Sequence, residues 1–96
     1  MSPNGYLKAI RSETRCSVCY KQRTIEPHHI DQIGMGRNRK NELIEHFSAI
    51  PVCRPCHQHY HQVGRKQFEF KHGINCYEII YDYLSKYIFA EYKGEF

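Results

Sequence analysis

The sequence predicts a small α+β domain stapled by zinc, and three observations predict it. Two Cys-x-x-Cys pairs, Cys16 with Cys19 and Cys53 with Cys56, stand far apart in the chain. Thiols at that spacing converge on one ion more readily than they form bridges. Short extended stretches broken by Pro27 and Pro51 lie next to the pairs. Near the end, Ile79, Ile80, Tyr83, Leu84, Tyr87 and Ile88 recur at three- and four-residue steps, an amphipathic helical stripe. A chain of 96 residues is one domain with a modest core, so a staple is expected. The reading is a single domain over residues 1–96, with a core over about 16–73 and a C-terminal helix over about 75–93.

The five cysteines are an odd number, and no charged-then-apolar leader opens the sequence. Both point to a reducing, cytoplasmic setting rather than a secreted disulfide scaffold. No apolar run approaches the roughly 20 residues of a membrane helix, which excludes a spanning function for this stretch. The net charge of +4 is unevenly placed. Residues 1–75 carry twelve Lys/Arg against six Asp/Glu, or +6, and residues 76–96 carry two against four, or −2. A basic surface around a metal-binding region favours a polyanionic partner such as DNA; the plainer reading is a solvated face.

In chain order, residues 6–10 form a short helix that packs Leu7 and Ile10. Residues 16–19 form a tight knuckle presenting two sulfurs. Residues 22–26 form a strand stopped by Pro27, which cannot donate to a ladder. Residues 33–45, with Gly34, Gly36, Arg37, Arg39 and Lys40, form a long loop of the functional kind. Residues 48–52 form a second strand, with Pro51 confining it to an edge. From Cys53 a helix runs to about Gln62, with Pro55 tolerated in its first turn. Gly64 breaks it, and residues 65–72 form a further helix with Phe68 inward and Gly73 as its stop. Asn75 and Glu78 have capping-box spacing for the last helix, which Lys93 and Gly94 end. Cys76 stands outside the paired pattern, as a core residue or a free thiol.

Histidines carry the second chemistry. His28 and His29 follow a strand, so their side chains point to opposite faces and divide their roles. His57 and His61 lie four apart on a helix and share a face, which suits two ligands on one ion. His57 follows Cys56 directly, so the thiolate site sets where His57 points. His59 and His72 read as surface residues.

These residues resemble the HNH nuclease superfamily over about residues 16–61. His28, His29 and Ile30 look like its first motif, and Cys53, Arg54, Pro55, Cys56 and His57 look like the motif's end in zinc-stapled members. Shorter matches extend the resemblance to about Gly73 and to small phage nucleases of recombination modules. They comprise Gly34, Met35 and Gly36, Ile50 to Cys53, His61 to Glu69, and Lys71 to Gly73. The resemblance implies a ββα-metal, treble-clef-like core with additional C-terminal helices. It implies a metal-dependent endonuclease that hydrolyses DNA phosphodiester bonds in phage recombination or DNA processing. In that reading Cys16, Cys19, Cys53 and Cys56 hold structural Zn2+. His28, His57 and His61 hold a catalytic Mg2+, Mn2+ or other divalent ion, and His29 is the general base. Arg37, Arg39, Lys40, Arg54, Arg65 and Lys66 contact nucleic-acid phosphates. The family's middle Asn, which orients the base, falls at Ser48 here, with His46 or Asn41 as substitutes. A recombinase is an implied partner, and the C-terminal stripe allows a homodimer. The competing expectation is a zinc module that binds nucleic acid or a recombinase without cutting.

Overall fold

The computed structural model describes residues 2–31 and 43–92. Most of the expected long loop, with Gly34, Gly36, Arg37, Arg39, Lys40 and Asn41, lies outside them, as do Lys93 and Gly94. The described elements run helix, strand, 3-10 turn, strand, helix, helix.

Helix α1, Pro3–Arg11, starts earlier than its apolar residues suggest because Ser2 caps it, accepting from the Gly5 N–H at 3.0 Å. Pro3 sits in the first turn, where its missing N–H costs nothing. Tyr6, Leu7 and Ile10 are buried. The Tyr6 hydroxyl donates to the Ala49 carbonyl at 2.8 Å and so ties the helix to the sheet.

Strand β1, Ile25–His29, pairs antiparallel with β2, Ala49–Cys53. The expected strand at 22–26 is displaced: Pro27 sits inside β1 and does not end it. Residues facing each other in an antiparallel pair alternate between those that exchange two hydrogen bonds and those whose polar groups point away. Pro27 lies opposite Pro51, and the Pro51 carbonyl turns outward to Ser17. The two prolines therefore occupy an outward-pointing pair, where neither is asked for an N–H. Gln22 belongs instead to the cysteine knuckle, bridged to Arg15. A 3-10 turn, Ile44–Ser48, leads into β2. Every residue of β2 is buried.

Helix α2, Arg54–His72, carries Pro55 in its first turn and is bent at Gly64, whose φ of 82° and ψ of 167° are not helical. Gly73, at φ 63° and ψ 38°, closes it in the left-handed conformation that favours glycine. Helix α3, Cys76–Glu91, starts at Asn75, whose side chain accepts from the Tyr77 and Glu78 N–H groups. Glu69 anchors the same start, accepting from the Cys76 N–H at 2.8 Å.

The core has two parts. Cys16, Val18, Ile50, Val52, Cys53, Cys56, Phe68 and Ile80 form one, and Tyr6, Leu7, Ile10 and Ala49 form the other. Strand β2 contributes to both, so the sheet is the seam between α1 and the rest. Phe68 is 1 % exposed and pins the second half of α2. Phe68→Ala is expected to cost about 3–5 kcal/mol, a large share of the roughly 5–15 kcal/mol of a typical domain. Urea unfolding followed by circular dichroism measures it, and a loss under about 1 kcal/mol would contradict the anchoring role.

Candidate metal centre

The knuckle of residues 16–19 is built by backbone bonds. The Cys16 N–H donates to the Lys21 carbonyl and the Tyr20 N–H to the Cys16 carbonyl. Tyr20 takes a left-handed φ of 62° to close the turn, a cost of about 1–2 kcal/mol. Ser17 fastens the knuckle to β2, donating through both its N–H (2.9 Å) and its hydroxyl (2.7 Å) to the Pro51 carbonyl. Cys53 ends β2 and Cys56 lies in the first turn of α2, so the second pair straddles the strand-to-helix corner.

The four Sγ atoms lie within 4.8 Å of one another, a group able to hold one metal ion. Cys19 and Cys53 sulfurs are 3.8 Å apart, too far for a disulfide. A tetrahedral ion with bonds of about 2.3 Å needs sulfurs about 3.8 Å apart. Burial raises the thiols of Cys53 and Cys56. Burial also opposes ionisation of Cys16, but backbone N–H groups of Cys19, Cys53 and Val18 outweigh it and hold that thiol at about 7. A cluster with one thiol poised to ionise and others held protonated by burial is one that a cation would relieve.

The second cluster follows from strand alternation. Glu26 and His28 face one side of β1, and Pro27 and His29 face the other. On the first side stand His57 and His61 of α2. Ring centroids are 4.7 Å apart for His28 and His57, 5.1 Å for His28 and His61, and 4.8 Å for His57 and His61. One nitrogen from each ring lies within 4.8 Å of the other two. His28 is 4 % exposed, and its Nε2 is buried with no hydrogen-bond partner. Leaving such a group unpaired costs about 1–3 kcal/mol, which an ion at that nitrogen would remove. Burial first, then His57, His61 and His29, push the His28 imidazole down to about 4. It is therefore neutral and a lone-pair donor at pH 7. His57 Nδ1 lies 3.0 Å from Glu26 Oε1, and Arg54 Nε lies 3.5 Å from Glu26 Oε2.

His29, on the other side, has its Nε2 2.8 Å from His46 Nδ1. Burial and then His46 lower its pKa, so it too is neutral near pH 7. Ser48 does not meet His29. Its buried hydroxyl accepts from the Asp31 N–H at 3.0 Å and shares its proton between the Asp31 and Glu45 carbonyls. Of the expected orienting residues, His46 is in contact with His29, Ser48 is not, and Asn41 lies outside the described residues.

Other expected residues are placed as follows. Arg54 is bound to Glu26, as above. Arg65 donates to Glu69 at 3.1 Å and lies 5.4 Å from the Tyr77 ring centroid. Lys66 is exposed on α2. Arg37, Arg39 and Lys40 fall outside the described residues. His59 and His72, which read as separate surface residues, meet at 3.0 Å across the bend in α2. Glu26 was missed because ending the strand at Pro27 hid the alternation that pairs it with His28. Cys76 is a buried free thiol. Among the described residues, no helix is long and apolar enough to cross a membrane.

The low His28 value sets an acid sensitivity for protein whose histidine cluster is free of metal. Unfolded, His28 protonates near pH 6.5; folded, it resists until about 4. Between those values the unfolded chain binds more protons, so stability present above pH 6.5 is lost as pH falls towards 4. Thermal melts over that range are expected to show a steeper decline for the native sequence than for His28→Gln. Parallel declines would contradict this.

No curated protein and no solved structure matches the chain. Residues 1–88 match a family described as protein of unknown function, DUF968. With that share of its 96 residues matched, the chain belongs to the DUF968 family.

Proposed function

We propose that this protein is a metal-dependent HNH-type endonuclease that hydrolyses DNA phosphodiester bonds. The observation that carries the reading is the convergence of His28, His57 and His61, with the His28 Nε2 buried and unpartnered. The likeness of His28, His29 and the Cys53–His57 stretch to HNH motifs supports it. So does the excess of +6 over residues 1–75.

Both donor sets fit metal ions. Four thiolates suit structural Zn2+. Three imidazoles suit Mn2+ or a later first-row ion better than Mg2+, which prefers oxygen. An ion held there supplies positive charge at the scissile phosphate and the leaving oxygen. The chain's own residues do the rest. His29, with Nε2 engaged by His46, keeps Nδ1 for the attacking water and takes its proton there. In this reading the 2.8 Å contact has His29 donating its Nε2–H to His46 Nδ1, the tautomer that leaves His29 Nδ1 basic, the part a carboxamide plays in the resembling family. Lys66, with Arg37, Arg39 and Lys40 of the 32–42 stretch, binds backbone phosphates and gives affinity without sequence choice, and Arg65 serves this less because Glu69 holds it at 3.1 Å. Arg54 serves this less, because Glu26 neutralises it. A cytoplasmic setting and a role in phage DNA processing or recombination, with a recombinase as partner, belong to the same reading. A second reading, a zinc module that binds DNA without cutting, draws on Ser48, whose hydroxyl is committed elsewhere.

Divalent-dependent nicking of plasmid DNA that EDTA abolishes is the direct test, and binding without cleavage would favour the module. His29→Ala is expected to keep the fold and the bound zinc while losing about 100-fold or more in rate, the usual worth of a general base. Unchanged nicking by that variant would remove His29 from the mechanism. Cys53→Ser is expected to lose the zinc and the cooperative unfolding transition together. A folded, zinc-free Cys53→Ser protein, seen by metal analysis and amide dispersion, would contradict the staple.

A further inference from the structure

A neutral imidazole has one N–H and one lone pair, and which nitrogen carries which is set by the ring's hydrogen bond. An ionised carboxylate can only accept. Glu26 Oε1 lies 3.0 Å from His57 Nδ1, so the proton of a neutral His57 sits on Nδ1 and the lone pair on Nε2. We propose that Glu26 is a positioning residue for the histidine cluster, holding His57 in the tautomer and orientation that offer Nε2 to a metal ion shared with His28 and His61. The proposal rests on the reading of these three histidines as a metal site.

Three features of the fold converge on this arrangement. Glu26 and His28 are two residues apart on β1, so one strand face delivers both a ligand and the carboxylate behind its neighbour. The register places Glu26 opposite Val52, one residue before the β2–α2 corner, which brings its side chain to the first turn of α2 where His57 stands. Arg54, three residues before His57 on the same helix, lies 3.5 Å from the other carboxylate oxygen, Oε2. With each oxygen occupied, Glu26 acts behind His57 and not as a ligand itself, and Arg54 is its clamp.

The test uses the full chain with zinc in the cysteine site, titrated with Ni2+ by calorimetry. The native sequence is expected to bind one Ni2+ that His28→Ala does not. Glu26→Ala is expected to weaken that binding by roughly 10–100-fold, the usual effect of removing such a partner. Glu26→Gln, whose amide oxygen still accepts from Nδ1–H but carries no charge, is expected to retain most of the affinity. Equal losses in both variants would make Glu26 a source of charge alone and overturn positioning. Side-chain nitrogen NMR of the Ni2+-free protein gives a second readout. His57 is expected as the Nδ1–H tautomer in the native sequence and as a mixture in Glu26→Ala, and an unchanged tautomer would overturn the proposal. Absence of any Ni2+ at the histidines would overturn the metal reading along with it. Ni2+ binding indifferent to Glu26 would overturn this inference alone.

Discussion

The corner between β2 and α2 is the constraint on which the rest depends. Within five residues the chain ends a buried strand at Cys53 and starts α2 at Arg54, with Pro55, Cys56 and His57 in the helix's first turn. The corner is held from outside by the 16–19 knuckle, which Ser17 bolts to the Pro51 carbonyl with two hydrogen bonds. Because the thiol cluster and the histidine cluster share this corner, the direction in which α2 leaves the sheet sets both. A shift in the helix start would carry His57 and His61 away from His28, which is fixed on the opposite strand.

The division of labour between His28 and His29 follows from the pleat. Adjacent residues on a strand cannot face the same side. His28 is therefore enclosed with His57, His61 and the Tyr60 ring, 4.1 Å away, and is kept neutral chiefly by burial. His29 is turned towards the 3-10 turn and meets His46. Two identical side chains, side by side in sequence, thus sit in different surroundings. Ser48 contributes from a distance, since its bonds to Asp31 and Glu45 tie together the segments that carry His29 and His46.

Much of this was legible in the sequence where local chemistry decides. The Cys-x-x-Cys pairs, the Asn75 cap, the Gly64 break and the Gly73 stop all act within one turn of chain, and each stands where its residue type predicts. The position of β1 is not legible in this way, because whether a proline ends a strand depends on register, and register is a property of two strands. The place of Glu26 beside His28 on one strand face depends on that register too. The partners of His29 and Ser48, and the meeting of His59 with His72 across a bend, depend on how distant segments cross, which residue spacing along the chain does not encode. The small core also relies on residues that read as neutral from the sequence. Tyr6 is fully enclosed and reaches across to the Ala49 backbone.

The facing prolines have an effect beyond the pairing itself. A two-stranded sheet has two open edges, and each is a place where another chain could add as a strand. At the centre of each edge here stands a residue with no N–H to offer, Pro27 on one and Pro51 on the other, and the Pro51 carbonyl is already taken by Ser17. A third strand approaching either side would lose a bond at its midpoint. The β2 edge is closed by burial under the knuckle and Tyr6, so Pro27 matters most on the β1 edge, where it makes the strand a poor template for edge-to-edge stacking.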